Sequence, residues 1–270
     1  MSLVLKSNQV FTGTLIPEYD AYITRVLADG GEIYSTDDLF SAFVFAKLNG
    51  LDKNNSFSVT SASWGRKLDD NGNLLVLYSL FAEAGDIIPS SSGGALEKLE
   101  FTDGRPVFAS YSASNYAVTK GAVDKPSGIF STTYKILGGS SPLGAFYSED
   151  NPGRRFTLIN TASGVAALCY DGFYGQVGPL TGSLVGNSLS AGAIIEYGTS
   201  ALSGYLNGEF KETSILSGSG YATPSQFTLG TRNATPEGDV VRIGEAWALC
   251  NDVNTSQAEA ISARLATQIN

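Results

Sequence analysis

Acid–base and metal chemistry have few residues to work with in this chain. It contains no histidine, which excludes an imidazole base, a Ser-His nucleophile pair and a His-ligated metal. The carboxylates that could act together are Asp69-Asp70, Glu149-Asp150 and Asp171. Glycoside hydrolysis needs two carboxyl groups at a defined separation, whereas Asp69-Asp70 and Glu149-Asp150 sit in turn-like runs beside Asn and Gly. Asp69-Asp70-Asn71-Gly72-Asn73 offers the oxygens that Ca²⁺ accepts, yet it lacks the spaced ligands and bidentate Glu of an EF-hand. It fits a polar hairpin turn better. Cys169 and Cys250 lie in apolar runs and suit buried thiols packing as small apolar side chains. No catalytic residue, metal or cofactor is expected, and the chain is read as a non-enzyme.

Recognition has better material. Tyr170-Asp171-Gly172-Phe173-Tyr174-Gly175-Gln176 joins aromatics, an acid and an amide on a Gly-containing loop. Aromatic faces with adjacent amide and carboxylate groups are what a sugar ring needs. Tyr170, Asp171, Phe173, Tyr174 and Gln176 are therefore the candidate glycan-binding residues; the competing reading is that these aromatics belong to a core or an interface.

Charge narrows the partners. The net charge is −9 and only 16% of residues are charged, so a phosphate backbone is repelled and no nucleic-acid partner is expected. Arg154-Arg155, the densest basic spot, fits a solvated turn after Asn151-Pro152-Gly153. A surface of hydroxyls, amides and backbone suits an all-β protein that packs against others. It fits a subunit of a larger assembly, with a thinly charged secreted domain as the alternative. The first residues lack the apolar stretch of a signal peptide, and no run approaches the ~18 apolar residues of a membrane span. Synthesis in the cytoplasm without membrane insertion is the expectation.

The elements that must position these residues can be read from periodicity. Residues 1–16 suggest an extended N-terminal arm. Pro17 then opens a helix in which Tyr19, Tyr22, Ile23, Val26 and Leu27 recur at three- and four-residue spacing, and Gly30-Gly31 stops it. A second helix starts at Ser35 or Thr36, with Asp37-Asp38 in its first turn. Its apolar stripe is Leu39, Phe40, Phe43, Val44 and Leu48, and Asn49-Gly50 ends it. Residues 17–52 thus form a helical docking hairpin too small to fold alone, which must pack on the sandwich or on a neighbouring subunit. Tyr19, Tyr22, Phe40 and Phe43 are its candidate assembly-interface residues.

From residue 53 to 270 short β-prone runs alternate with turn clusters, the pattern of a sandwich or barrel. The best central strands are Ile129 to Leu137, Arg155 to Ile159, Gly164 to Tyr170, Ala193 to Tyr197 and Ser203 to Leu206. No convincing helix is expected between Phe57 and Asn251. Asn207-Gly208 between two such runs predicts a type I′ hairpin turn, because both central positions need positive φ. A closing helix is expected to begin near Asn254 or Ser256, where Ser256-x-x-Glu259 has the form of a capping box, with Ile261, Leu265 and Ile269 along one face.

The order of Tyr205, Asn207-Gly208, Leu229-Gly230, Gly244-Glu245 and Ser256-Gln257-Ala258-Glu259 resembles the end of concanavalin A-like, laminin-G-like jelly-roll domains. Tyr19-Asp20-Ala21-Tyr22 through Ala28-Asp29-Gly30-Gly31-Glu32-Ile33, with Lys47-Leu48-Asn49-Gly50-Leu51, resembles a segment of bacteriophage structural proteins that precedes such a domain. The resemblance implies a mainly β, concanavalin A-like (laminin-G-like) jelly-roll sandwich with an N-terminal helical hairpin and a C-terminal helix. It further implies a virion location and a non-enzymatic structural role, as a capsid decoration, fibre or tail component. The partners would be other virion proteins and further copies of the chain, as a homo-oligomer. The alternative is a carbohydrate-binding receptor-recognition module that meets a host surface glycan.

Overall fold

The computed structural model describes residues 16–89, 96–98, 100–102, 104–110, 117–124, 127–136, 141–148, 154–161, 163–170, 173–180, 187–218, 225–230 and 241–269. The arm expected over residues 1–16 lies outside them, except for Ile16. The chain is mainly β: two antiparallel sheets face each other, with three α-helices, α1 (Pro17–Ala28), α2 (Thr36–Leu48) and α3 (Thr255–Ala266), among the described residues.

Among those residues the larger sheet has twelve strands. Its path runs Glu32–Ile33, Gly65–Leu68, Asn73–Leu77, Ile87–Pro89, Ala117–Thr119, Ser225–Leu229, Ser141–Ser148, Arg155–Thr161, Gly164–Tyr170, Phe173–Val177 and Ser217–Gly218, and Leu96–Lys98 pairs with Asn73–Leu77 off that path. The smaller, of eight strands, is centred on Ser127–Ile136, which pairs with Ser188–Glu196 on one side and Val241–Cys250 on the other. The expected central strands are all present, extended by a few residues: Ser188–Glu196 replaces the shorter run expected from Ala193, and Ala201–Leu206 the one from Ser203. The Asn207-Gly208 turn has φ of 50° and 84°, as a type I′ turn requires. Between Phe57 and Asn251 the described residues hold one helical turn, the 3₁₀ segment Glu83–Gly85.

Alternation along the strands sends one set of side chains between the sheets. Phe146 lies at the centre of that layer, stacked on Phe156 at 6.3 Å and beside Phe227 at 5.2 Å. Each such ring contributes about 1.5–3 kcal/mol by leaving water. No disulfide joins Cys169 and Cys250, both of which are buried in this layer.

A second core covers the outer face of the smaller sheet. Ile129, Ile194, Tyr205, Trp247 and Leu249 point outward and meet Tyr22 and Val26 of α1, Leu39, Phe43 and Ala46 of α2, and Ile261 and Leu265 of α3. The helices therefore form a third layer on the sandwich. In α2 the sequence carries two stripes one residue apart, and packing selects between them. Leu39, Phe43 and Ala46 face inward, with the small Ala42 and Ala46 letting the helix approach closely. Phe40 and Leu48 are left 39% and 80% exposed. Leu27 of α1 also faces outward.

The helix ends follow ordinary capping chemistry, with one correction. Ser35 accepts a hydrogen bond from the Asp38 amide, as expected for an N-cap. The capping box of α3 is Asn254 with Gln257, not Ser256 with Glu259. Of the two expected starts the helix takes Asn254, and Val253 is buried just before it. The helix ends at Ala266, so Ile269 lies beyond its expected stripe.

Two arginines fasten this layer, each from the last turn of a helix, where a cation suits the dipole. Arg25 of α1 donates through Nη1 to both carboxylate oxygens of the fully buried Asp86, at 2.9 and 2.8 Å. Lys120 adds a contact to the same carboxylate at 3.2 Å. Arg264 of α3 donates to the buried Glu245 through Nε at 2.6 Å and Nη2 at 3.2 Å. Trp247 Nε1 and Gln268 Nε2 complete the shell of Glu245, at 2.6 and 2.5 Å. The Arg264 guanidinium also stacks over Phe45 at 5.2 Å. Charges this deep require full pairing, since a lone one costs several kcal/mol.

Arg264→Ala leaves the Glu245 carboxylate buried without its cation and is expected to cost about 3–5 kcal/mol, read as a fall in the denaturant midpoint. Arg264→Lys keeps the charge but loses the fork, and its cost should be smaller. Truncation after Asn251 strips α3 from Ile129, Ile194 and Tyr205; a truncated chain that melts at the wild-type temperature would overturn this placement.

Candidate functional site

The outer face of the larger sheet is the surface to which the recognition residues belong. Tyr170 ends one strand and stands directly opposite Tyr174 on the next. Their inward neighbours settle the direction: Cys169 and Val177 are in the core between the sheets, so Tyr170, Tyr174 and Gln176 project outward. The two rings form an edge-to-face pair with centroids 6.3 Å apart. They remain 39% and 54% exposed, which is unusual for large aromatics with a partner ring already in place.

Neighbouring strands extend the row. Arg155 places its guanidinium 5.5 Å from the centre of the Tyr170 ring. Tyr147 stands opposite Arg155 in register, and Gln226 stands opposite Tyr147. Tyr147 Oη donates to Gln226 Oε1 at 2.5 Å. On the far side Ser217 pairs with Tyr174. Six strands thus carry Gln226, Tyr147, Arg155, Tyr170, Tyr174 and Ser217 across a width of roughly 24 Å, at ~4.8 Å per strand. The row offers flat aromatic faces, a planar cation held by stacking, and amide and hydroxyl groups. Groups of these kinds can hold and orient a polar ring.

Of the expected glycan-binding residues, the fold brings Tyr170, Tyr174 and Gln176 to one face. Gln176 is exposed, with its Nε2 bonded to the Gly178 carbonyl at 3.3 Å. Asp171 and the side chain of Phe173 lie outside the described residues. Arg155, expected both beside a solvated turn and at the start of a strand, is a site residue that sequence reasoning missed. It opens the strand Arg155–Thr161, and only the register with Tyr147 puts it in the row. The hydrophobic pattern of that strand was its one available signal.

The other candidates are placed differently. Asp69 uses its carboxylate inside its own turn, accepting from the Asn71 and Asn73 amides and from Asn73 Nδ2, each at 2.8 Å. Those bonds, that from the Asn73 side chain foremost, hold its carboxyl below the usual range. Of the four assembly-interface candidates, Tyr22 and Phe43 are buried in the chain's own second core. Tyr22 Oη accepts from the Gly65 amide at 2.9 Å and donates to the Tyr78 carbonyl at 3.1 Å. Tyr19 lies edge-on to Phe40 and Phe43, and Phe40 is partly exposed.

No protein-family model and no curated protein matches the chain. Solved structures show the same fold. The botulinum neurotoxin serotype D ligand-binding domain in complex with N-acetylneuraminic acid superimposes with a TM-score of 0.53 at 10% identity, over 78% of this chain and 51% of that one. A structure of botulinum neurotoxin type C, which depends on interaction with two ganglioside molecules to enter cells, gives 0.53 at 9% identity, over 82% and 53%. The type G receptor-binding domain gives 0.51 at 11%, over 77% and 51%. The chain spans about half the length of these neighbours, and the likeness concerns the β-sandwich.

The exposure of the row has a measurable consequence. Tyr174→Ala should leave stability within about 0.5 kcal/mol of wild type in chemical denaturation. Phe146→Ala, in the core, should lose about 3–5 kcal/mol.

Proposed function

We propose that the chain is a non-catalytic recognition module that binds carbohydrate on the outer face of its larger sheet. The observation that carries this reading is the exposed Tyr170–Tyr174 pair with Arg155 stacked against it. A sugar ring laid on these tyrosines would bury its apolar C–H face. Arg155, Gln176 and Ser217 would bond its hydroxyls. The neighbours support the reading at the level of fold: they are receptor-binding β-sandwiches, and the serotype D domain was solved with N-acetylneuraminic acid.

The structural role in a virion, with self-association, is the second reading. Besides the resemblance of residues 19–51, it is favoured by large apolar side chains left uncovered on the helical layer: Leu27, Tyr34, Phe40 and Leu48. An assembly surface there would use Phe40 and Leu48, since Tyr22 and Phe43 are committed to the intramolecular core. Phe40→Lys with Leu48→Lys should then convert any oligomer to monomer in analytical ultracentrifugation.

A glycan array with the purified chain tests the first reading. Saturable binding is expected, weakened at least tenfold in both Tyr170→Ala and Tyr174→Ala. A blank array, or binding indifferent to both substitutions, would overturn it.

A further inference from the structure

Where the end of α3 passes the start of α2, a crevice of about 130 Å³ opens in the helical layer. One water needs only ~10–15 Å³ of such space, so there is room for a small solute. Among the described residues that line it, Trp64 is the one apolar residue; the others carry charges, hydroxyls or an amide.

Three elements bring polar groups to this crevice. Asp38 and Ser41 stand three residues apart on one face of α2. Arg264 of α3 reaches across to the Ser41 hydroxyl at 3.3 Å. Arg105 opens the strand Arg105–Ser110 of the smaller sheet. Phe108 of that strand packs between the sheets, so alternation turns Val107 and Arg105 to the outer face. The loop before Gly65 supplies Ser61 and Ser63.

Several of these groups are unused by the fold. Among the described residues neither the Asp38 carboxylate nor the Arg105 guanidinium has an ion-pair or hydrogen-bond partner. Ser63 is only 6% exposed. Its amide donates to Ser61 Oγ at 3.1 Å and its carbonyl accepts from the Ser35 amide at 2.9 Å. Its hydroxyl bonds no protein group, yet it is not sealed from solvent. It therefore opens toward the polar space beside Arg105 that Ser61 and Ser63 both line.

The charges around the crevice cancel. Asp38 and Glu245 stand against Arg105 and Arg264, and the second of each is already spent on the other. An ion of either sign would upset that balance, whereas a neutral molecule rich in hydroxyls would not. A free carboxylate accepts from two neighbouring hydroxyls, a guanidinium fork donates to two oxygens, and a serine hydroxyl does either.

We propose that this crevice binds a neutral hexose through Asp38, Arg105 and Ser63. The site lies on the helix-covered side of the sandwich and does not rest on the carbohydrate reading of the tyrosine row.

Both tryptophans of the chain report on it, since Trp64 lines the crevice and Trp247 donates to Glu245 in its wall. The test is titration of tryptophan emission in the full chain with D-glucose, D-galactose and D-mannose. D-glucuronate and D-glucosamine serve as charged counterparts. A saturable change is expected with at least one neutral hexose, and neither charged sugar should bind more tightly. Asp38→Ala and Arg105→Gln should each weaken binding roughly tenfold or more, as loss of a hydrogen bond to a charged group does. Ser63→Ala should weaken it roughly threefold and still melt at the wild-type temperature, because that hydroxyl holds nothing in the fold. The response should persist in a chain carrying both Tyr170→Ala and Tyr174→Ala, so failure here and failure at the tyrosine face are read separately. No saturable change with any of the three hexoses would overturn the proposal, leaving a crevice that holds water only. Tighter binding of a charged sugar would overturn it as well, as would a response that Asp38→Ala and Arg105→Gln both leave intact.

Discussion

The ion pair between Arg264 and Glu245 is the contact on which the three-layer arrangement depends. Glu245 lies on the outer face of a sheet, a position that would be solvated in a two-layer sandwich. Covering that face with helices removes the water, and the carboxylate then requires the guanidinium, the Trp247 indole and the Gln268 amide together. The dependence is mutual. Without α3 seated, Ile129 and Ile194 lose their apolar cover, and without Glu245 the last turn of α3 has no polar anchor. Arg25 and Asp86 repeat the solution at the other end of the layer. In both places a helix supplies the cation and the sandwich supplies the acid, so the layer is held in one register rather than by apolar contact alone.

Much of this was legible in the chain, because local chemistry dictates it. Asn207-Gly208 had to be a tight turn, Ser35 had the side chain and position of an N-cap, and the alternating runs had to be strands. What was not legible depended on distant partners. Phe43 and Phe40 both satisfy helical periodicity, and only the surface beneath α2 decides which is buried. Asn254-x-x-Gln257 and Ser256-x-x-Glu259 both satisfy the capping pattern. The buried Val253 selects the first, and no local rule reveals that burial. Arg155 illustrates the same limit at the candidate site, since its neighbours in space come from other strands and are set by register.

The two outer faces of the sandwich differ in kind. One is closed by helices and gathers its charges into buried pairs. The other, at the end formed by Gly164–Tyr170 and Phe173–Val177, presents tyrosines to solvent. The β-sandwich is common to many binding domains, and its neighbours share it at about one residue in ten. What distinguishes this chain is where it places aromatic and charged groups on that frame.

The helical layer also fixes an orientation. Ile16, which leads into α1, is buried in the same outer cluster that α3 closes. Both ends of the described chain therefore emerge on the side opposite the Tyr170–Tyr174 pair. A tether or bead joined after α3 would hold the molecule by its back, with the tyrosine face turned outward. An array of such molecules fixed to one surface would present that face in parallel, and weak single contacts could add up to avid capture.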